Sequence, residues 1–425
     1  MRVLLISTNT ESLTMPVHPY GMHLVADAAE QSGHTVHRLD LFDSEDLRSA
    51  MAEAAAEIDP EVVGLTVRNI DDQCMQEPQF LLEGDRRIVR WLRELTSAPV
   101  VLGGAGYSIY PDSVLEYLEA DLGLPGEGEE SFPKLLEVLE KGGSLESVPG
   151  LHVRGRGEVA PRRIIRHLDR CPLPSPSRLS GALIRRQDFL MPYQTRRGCP
   201  FDCSYCSTGS IEGRRIRKRS VERVVQNLKS FQEDGVRRFF FVDNTFNLPA
   251  GYAEELCRSM IAARLNIEWF AIVYPAKLSS RLVRLMAQAG CRQVSLGFES
   301  GSSPVLASLN KRFSKEEVRQ ASKLFAKEGV ERMGFLLLGG PGETKATVRE
   351  SLDFAEGLDL DGLKLTVGIR IYPGTILARQ AMRAGRLAAD DSLLLPKFYL
   401  EPGLSPWLEE YTEAWAAERP ELVVP

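Results

Sequence analysis

The sequence predicts an α/β protein built in two successive units. Three observations lead there. Strand-like and helix-like runs alternate along most of the chain, the alternation breaks once at a proline-rich stretch, and 425 residues exceed what one hydrophobic core ordinarily organises. The composition, 43% hydrophobic and 26% charged, is that of a globular protein. A net charge of −6 argues against a nucleic-acid footprint. No apolar run approaches the ~18 residues of a membrane span. The start, Met1-Arg-Val-Leu-Leu-Ile-Ser7, is strand-like and unlike a signal peptide. Seven cysteines, three of them clustered, suit a reducing cytoplasm better than a disulfide scaffold.

The first unit spans residues 1–149. Strands are expected at Val3–Ser7, Thr35–Leu39, Val62–Val67, Pro99–Leu102 and Asp121–Leu124. Helices are expected near Gly21–Ser32, Ser44–Glu57, Phe80–Leu95, Asp112–Glu119 and Glu130–Lys141. Five such β/α units read as a flavodoxin-like doubly wound sheet, whose ligands sit at the carboxyl ends of the strands. Those ends carry Gly103-Gly104-Ala-Gly106-Tyr107-Ser108 and Pro125-Gly126-Glu127-Gly128-Glu129, where glycines let a ligand approach the backbone. Pro19-Tyr20-Gly21 opens the first helix. After the third strand, Arg68 and Asn69 project over the sheet edge, where Arg68 either faces a ligand or pairs with Asp71 or Asp72.

Residues 150–188 read as a linker, with a hairpin turn at Gly155-Arg-Gly157 and a stiff run holding Pro172, Pro174 and Pro176. The alternation resumes over 189–385, with strands near Met191–Arg196, Arg238–Val242, Ile267–Val273, Gln293–Phe298, Met333–Leu338 and Gly362–Ile369. A tail, 386–425, carries a helical stretch near Leu408–Ala417 that either packs on the second unit or closes its mouth.

The chemistry is concentrated in Arg197-Gly-Cys-Pro-Phe-Asp-Cys-Ser-Tyr-Cys-Ser207. Cys199, Cys203 and Cys206 follow a CxxxCxxC spacing. Three thiolates this close can hold three irons of a 4Fe–4S cluster and leave the fourth open to a substrate or cofactor. Zinc or buried thiols are the alternatives, but zinc wants a fourth ligand at matching spacing, and none is present. The basic run Arg214-Arg215-Ile-Arg217-Lys218-Arg219 just beyond reads as a solvated loop or as charge beside the anionic cluster.

On this motif the chain resembles the radical S-adenosylmethionine superfamily, and the likeness extends from about Tyr193 to Thr375. The resemblance implies an open (β/α)6 barrel with its chemistry at the strand ends. It implies that the open iron chelates S-adenosylmethionine and that Tyr205 packs near the adenine. Asp243 and Asn244, in Phe241-Val-Asp-Asn-Thr-Phe246, match the family's "FxDxxF" turn near the amino group of S-adenosylmethionine. Glu299 is placed to accept hydrogen bonds from ribose hydroxyls. Gly339 and Gly340 are placed along the adenine. Arg370 and Tyr372 follow the last barrel strand as candidate catalytic residues, together with Arg68.

The first unit resembles the cobalamin-binding domain that precedes many of these barrels. There the "GGxxxS/T" turn, matched by Gly103, Gly104 and Ser108, and the "GEGE" turn, matched by Gly126 and Glu127, border the groove for the cofactor's dimethylbenzimidazole tail. Pro19 and Gly21 match the family's Pro-x-Gly. The DxHxxG ligand signature is broken: His18 and Gly21 keep their spacing, but Pro16 stands where the orienting Asp should be. His18 therefore reads as a loop histidine. Arg68 lacks a lone pair for cobalt, and could instead keep water from its lower face.

The resemblance implies a cobalamin-dependent radical methyltransferase acting on a carbon of a small molecule or peptide, through a 4Fe–4S cluster, S-adenosylmethionine and methylcobalamin. Its electron donor would be a flavodoxin or ferredoxin. The alternative with the same cofactors is a cyclase or ring-rearranging enzyme. An RNA-modifying methylthiotransferase would need a cysteine-rich first domain, and residues 1–149 hold only Cys74. A cobalamin sensor would have no use for the three clustered cysteines.

Overall fold

The computed structural model describes residues 1–11, 18–42, 44–179, 184, 186 and 189–424. The first unit forms from β1 (Arg2–Ser7), α1 (Tyr20–Gln31), β2 (Thr35–Asp40), α2 (Leu47–Ile58), β3 (Val62–Thr66), α3 (Leu82–Leu95), β4 (Val100–Gly103), α4 (Ala105–Ile109), α5 (Pro111–Leu118), β5 (Leu122–Gly123) and α6 (Gly128–Lys141). The inner strands β1 and β3 are short, apolar and buried on both faces, as parallel strands covered by helices must be, whereas the edge strand β2 is polar and only partly buried. Their order is β2-β1-β3-β4-β5, the doubly wound order expected.

The linker does more than connect. Its hairpin, β6 (His152–Val153) and β7 (Gly157–Glu158), extends the first sheet antiparallel beyond β5. Farther on, Arg178 pairs with Asp27 and Glu30 of α1.

The second unit is a parallel sheet of β8 (Met191–Tyr193), β11 (Arg238–Phe241), β12 (Glu268–Val273), β13 (Cys291–Glu299), β14 (Glu331–Leu338), β15 (Gly362–Val367) and β18 (Val423–Val424). Its order is β18-β15-β14-β13-β12-β11-β8, with β8 and β18 at the edges among the described residues. Alternate residues of β13 and β14 are buried, which places one row of each against the outer helices. Four shorter strands complete the set: β9 (Arg196–Arg197), β10 (Arg217–Lys218), β16 (Ile369–Arg370) and β17 (Phe398–Tyr399). The tail is woven into this unit. β17 pairs with β16, β18 pairs with β15, and helix Trp407–Ala417 buries Leu408 and Trp415. One apolar cluster joins the units, with Val305, Leu309 and Ile369 packed among residues of β3 and β4.

Candidate active site

The cysteine loop leaves the sheet through β9 and returns through β10, which pair antiparallel. Gly198 takes a φ of 89°, and a Cβ there would stand 2.3 Å from the Arg215 carbonyl oxygen, so this turn requires glycine. The Cys199 N–H donates to the Gly213 carbonyl at 3.1 Å and the Ser204 N–H to that of Leu309 at 3.0 Å, while the Ser204 carbonyl accepts from Leu377 N–H at 2.8 Å. Burial pushes the Cys199 thiol up to about 11, with Cys206 and Cys203 adding to it. Burial likewise raises Cys203, against the Lys311 charge. Binding iron must therefore displace protons. No three His, Cys, Asp or Glu side chains among the described residues converge closely enough for a single ion. The thiols are nonetheless near enough to shift one another. Three thiols on one short loop are the soft donor set that an iron–sulfur cluster takes, and they fit that group.

Around this loop the expected residues divide. Tyr205 donates its hydroxyl to Glu299 Oε1 at 2.9 Å, and Lys311 Nζ reaches the same oxygen at 3.1 Å. Glu299 ends β13 with a φ of 65°, an uncommon left-handed conformation for a non-glycine residue. Lys311, buried beneath the Tyr205 ring, was not singled out from the sequence, because nothing in Asn310-Lys-Arg312 marks it. Burial disfavours its charge, and Glu299 holds its pKa well above the usual lysine range.

Asp243 departs from expectation. Its Oδ1 accepts from the N–H groups of Thr195 at 2.7 Å and Arg196 at 3.0 Å, and its Oδ2 meets Thr195 Oγ1 at 2.6 Å and Arg196 Nε at 3.1 Å. Those contacts use the capacity of both oxygens. The carboxylate is a buried brace beneath the strand that enters the cysteine loop, and cannot also hold an amino group. Its neighbour Asn244 donates to Glu212 Oε2 at 2.6 Å. The N–H groups of Gly339 and Gly340 turn inward to Glu343 Oε2, and a Cβ on them would stand 2.6 Å from Leu400 and 3.2 Å from Ile369 respectively, so neither glycine offers a free N–H to a ligand.

At the carboxyl edge of the first sheet lies a groove of about 960 Å³, counted with its open mouth. Gly21, Gly103, Gly104, Gly126 and Glu127 line it, with Leu5, Val25 and Phe132 as apolar walls. A Cβ on Gly104, whose φ is 100°, would stand 2.4 Å from the Val67 carbonyl oxygen. A narrow groove with apolar walls and a glycine rim fits a flat aromatic tail. Pro19 is the N-cap residue of α1. Ser108 instead stitches the rim together: its hydroxyl donates to the Gly104 carbonyl at 2.6 Å and accepts from Gly126 N–H at 2.7 Å.

The two glutamates of the GEGE turn reach across to the second unit. Glu127 pairs with Arg217 at 2.6 Å and Arg197 at 3.3 Å, and Glu129 pairs with Arg197. All four side chains are at most 7% exposed. Burial works against the charge of Glu129, yet Arg197 holds its carboxyl below the ordinary range. The basic run is therefore not a solvated loop throughout. Arg217 is a strut between units, and Arg219 is buried and donates to linker carbonyls at Leu168, Cys171 and Pro172.

Arg370 is also buried. Its Nε meets Asp71 Oδ2 at 2.8 Å, and its other nitrogens donate to the carbonyls of Ile371, Leu393 and Leu394. A guanidinium so committed braces the units and is not free to touch a substrate. Tyr372 lies partly buried beneath Arg370, and burial raises its pKa, with the charges of Asp71 and, to a lesser degree, Cys206 adding to it against Arg370. Arg68 is exposed and pairs with neither Asp71 nor Asp72 among the described residues. Asp71 is taken by Arg370, and Asp72 accepts from Cys74 N–H at 3.0 Å. Arg68 and Asn69 line a second cavity, shared with Thr8 and Asp85. His18 stacks on His23 at 4.4 Å, and burial, with His23 adding, pushes it down to about 3, so it stays neutral. Pro16 lies outside the described residues.

A three-thiol cluster loop at the mouth of a parallel α/β unit, joined to a doubly wound domain with a ligand groove, defines an enzyme of two cofactor sites. Residues 6–136 match the family model of the B12 binding domain, and residues 193–355 that of the radical SAM superfamily. An uncharacterized methyltransferase of Pyrococcus horikoshii is 30% identical over 90% of this chain and 83% of its own. The tryptophan 2-C-methyltransferase of Streptomyces laurentii is 25% identical over 87% and 73%. The radical S-adenosylmethionine methyltransferase TsrM from Kitasatospora setae, solved with tryptophan and a S-adenosylmethionine analogue, superposes with a TM-score of 0.89 at 25% identity, covering 100% of this chain and 91% of that one. The chain belongs to the cobalamin-binding radical S-adenosylmethionine enzymes, among their methyltransferases. Its cofactors are a 4Fe–4S cluster, S-adenosylmethionine and cobalamin. No helix among the described residues is long and apolar enough to cross a membrane.

Proposed function

We propose that this enzyme methylates a carbon of a small molecule or short peptide segment. One observation carries the reading: the open end of the cobalamin groove is walled by Gln194, Arg197 and Glu212, the same residues that frame the entry to the cysteine loop. Both cofactors thus bear on one space. Bound there, they supply radical and methyl-transfer chemistry, and the chain's residues supply position and the exclusion of water. Cys199, Cys203 and Cys206 hold the iron. Tyr205, Lys311 and Glu299 make a closed hydrogen-bonded platform beside it, with Asn244, Gly339 and Gly340 along the S-adenosylmethionine. Pro19, Gly21, Gly103, Gly104 and Gly126 shape the cobalamin groove, while Asn69 lines the second cavity with Arg68. Arg68, exposed and without an ion partner among the described residues, is placed to keep water from the cobalt's lower face. Tyr372 borders the substrate space, and Arg370 positions it. Reducing equivalents come from a flavodoxin or ferredoxin, and the chain works in the cytoplasm.

The test is anaerobic turnover with trideuteromethyl-labelled S-adenosylmethionine and a substrate panel that begins with tryptophan, the ligand of the similar solved enzyme. Label on a carbon of the product, with S-adenosylhomocysteine formed alongside, is the expected result. An altered but unlabelled product would replace the methyltransferase reading with the cyclase one.

A further inference from the structure

The groove and the cysteine loop share one hydrogen-bonded wall, and a single side chain is its hub. Glu212 closes the short helix Thr208–Glu212 that follows the last cysteine. Its Oε1 accepts from Gln194 Nε2 at 2.7 Å. Its Oε2 accepts from the Gly198 N–H at 2.8 Å and from Asn244 Nδ2 at 2.6 Å. Gly198 immediately precedes Cys199, Asn244 follows β11, and both Gln194 and Glu212 line the groove. Gln194 also accepts from Arg197 Nε at 2.9 Å, and Arg197 is gripped by Glu127 and Glu129 of the groove's own rim. Among the described residues the three groups that donate to the Glu212 carboxylate are all uncharged, and Arg162 acts on it only through its charge, so one carboxylate orients three groups at once.

We propose that Glu212 is a positioning residue that couples the cobalamin groove to the cluster and S-adenosylmethionine site. Filling the groove fixes Gln194 and Glu212 against the ligand. The same carboxylate then fixes the turn before Cys199 and the amide of Asn244. Ordering contributed by one cofactor need not be contributed again by the other, so each binds more tightly in the presence of its partner. Such coupling is reciprocal. The inference rests on cobalamin occupying the groove.

The experiment measures the dissociation constant of S-adenosylmethionine on the full-length, cluster-loaded protein by equilibrium dialysis, with and without saturating hydroxocobalamin. The wild type is expected to gain at least about fivefold in affinity when cobalamin is present, the lower end of ordinary coupling. Glu212→Gln places an amide donor among donors and should reduce that gain to less than about twofold, while each cofactor still binds alone. Gln194→Leu removes the groove-side bond to Glu212, together with the bond from Arg197 Nε, and leaves the bonds to Gly198 and Asn244 in place. It should abolish the gain with iron content unchanged, and so decides the matter if Glu212→Gln loads iron poorly. A wild type without coupling, or a Gln194→Leu variant that keeps it, would overturn the inference while leaving the cofactor assignment standing. A wild type that binds no hydroxocobalamin would instead overturn the assignment, and the coupling with it.

Discussion

At the scale of single residues, burial decides what each titratable group can do. Cys199 and Cys203 are partly buried thiols with raised pKa values, so they are poor nucleophiles and keep their protons until a metal displaces them. Replacing Cys199, Cys203 and Cys206 together by Ala should remove the iron and all 5′-deoxyadenosine formation while cobalamin binding persists. Iron retained by that variant would disprove the assignment. Asp85 shows the opposite use of burial. It is 7% exposed, makes no ion pair among the described residues although Arg68 and Arg87 line the same cavity, and is pushed up to about 7 by burial, against a hydrogen bond from Thr8. Its folded-state pKa lies above the unfolded one, so the native state holds a proton that the unfolded state releases. The stabilisation is therefore full below about pH 4 and is lost as pH rises towards 7, at up to about 1.4 kcal/mol per pH unit for a single group. Asp85→Asn should flatten this part of the profile and raise the thermal midpoint at pH 8 more than at pH 5. Equal shifts at both pH values would show that Asp85 is charged in the folded protein.

At the scale of elements, the loops after β3, β4 and β5 are fitted to one another before any ligand arrives. Gly104 is the sharpest instance, because both its left-handed φ and the 2.4 Å approach of the Val67 carbonyl demand glycine. Gly104→Ala should destabilise the first unit by roughly 1–3 kcal/mol through backbone strain and weaken cobalamin binding with it. Gly21 lines the same groove, but a Cβ there meets nothing within 4 Å. Gly21→Ala should leave the melting temperature nearly unchanged, so any effect on cobalamin affinity would report direct contact. The comparison separates a glycine needed by the chain from one that makes room for a ligand.

At the scale of the whole molecule, buried ion pairs hold the two units in register. Arg370 and Asp71 lie 299 positions apart, at 2% and 1% side-chain exposure. Such pairs contribute little over a well-packed apolar substitute, but losing one partner leaves an uncompensated charge. Arg370→Leu should therefore cost about 3–5 kcal/mol. Asp71→Asn added to it should restore part of the loss, as read by paired thermal melts. If the double variant melts below the single one, the loss does not come from a stranded carboxylate.

The order of strands and helices was readable directly, because apolar runs of strand length alternate with amphipathic helical ones and parallel sheets allow few arrangements. β1 to β5 fall within a residue or two of where the pattern puts them, and the cysteine spacing marks the cluster loop. The sequence could not show which charged residues are buried. Asp243 reads as a strand-end carboxylate free for a ligand, yet the backbone of Thr195 and Arg196, brought alongside by β8 and β11, consumes it. Glu127 reads as part of a groove-lining turn and Arg217 as part of a solvated basic run, but the fold presses them together across 90 positions. Lys311 and Glu212 carry no motif, and gain their meaning only from what surrounds them. Local periodicity and spacing are properties of neighbouring residues, and the sequence determines them by itself. A polar group's role depends on which distant partners share its loss of water, and only the tertiary structure decides that.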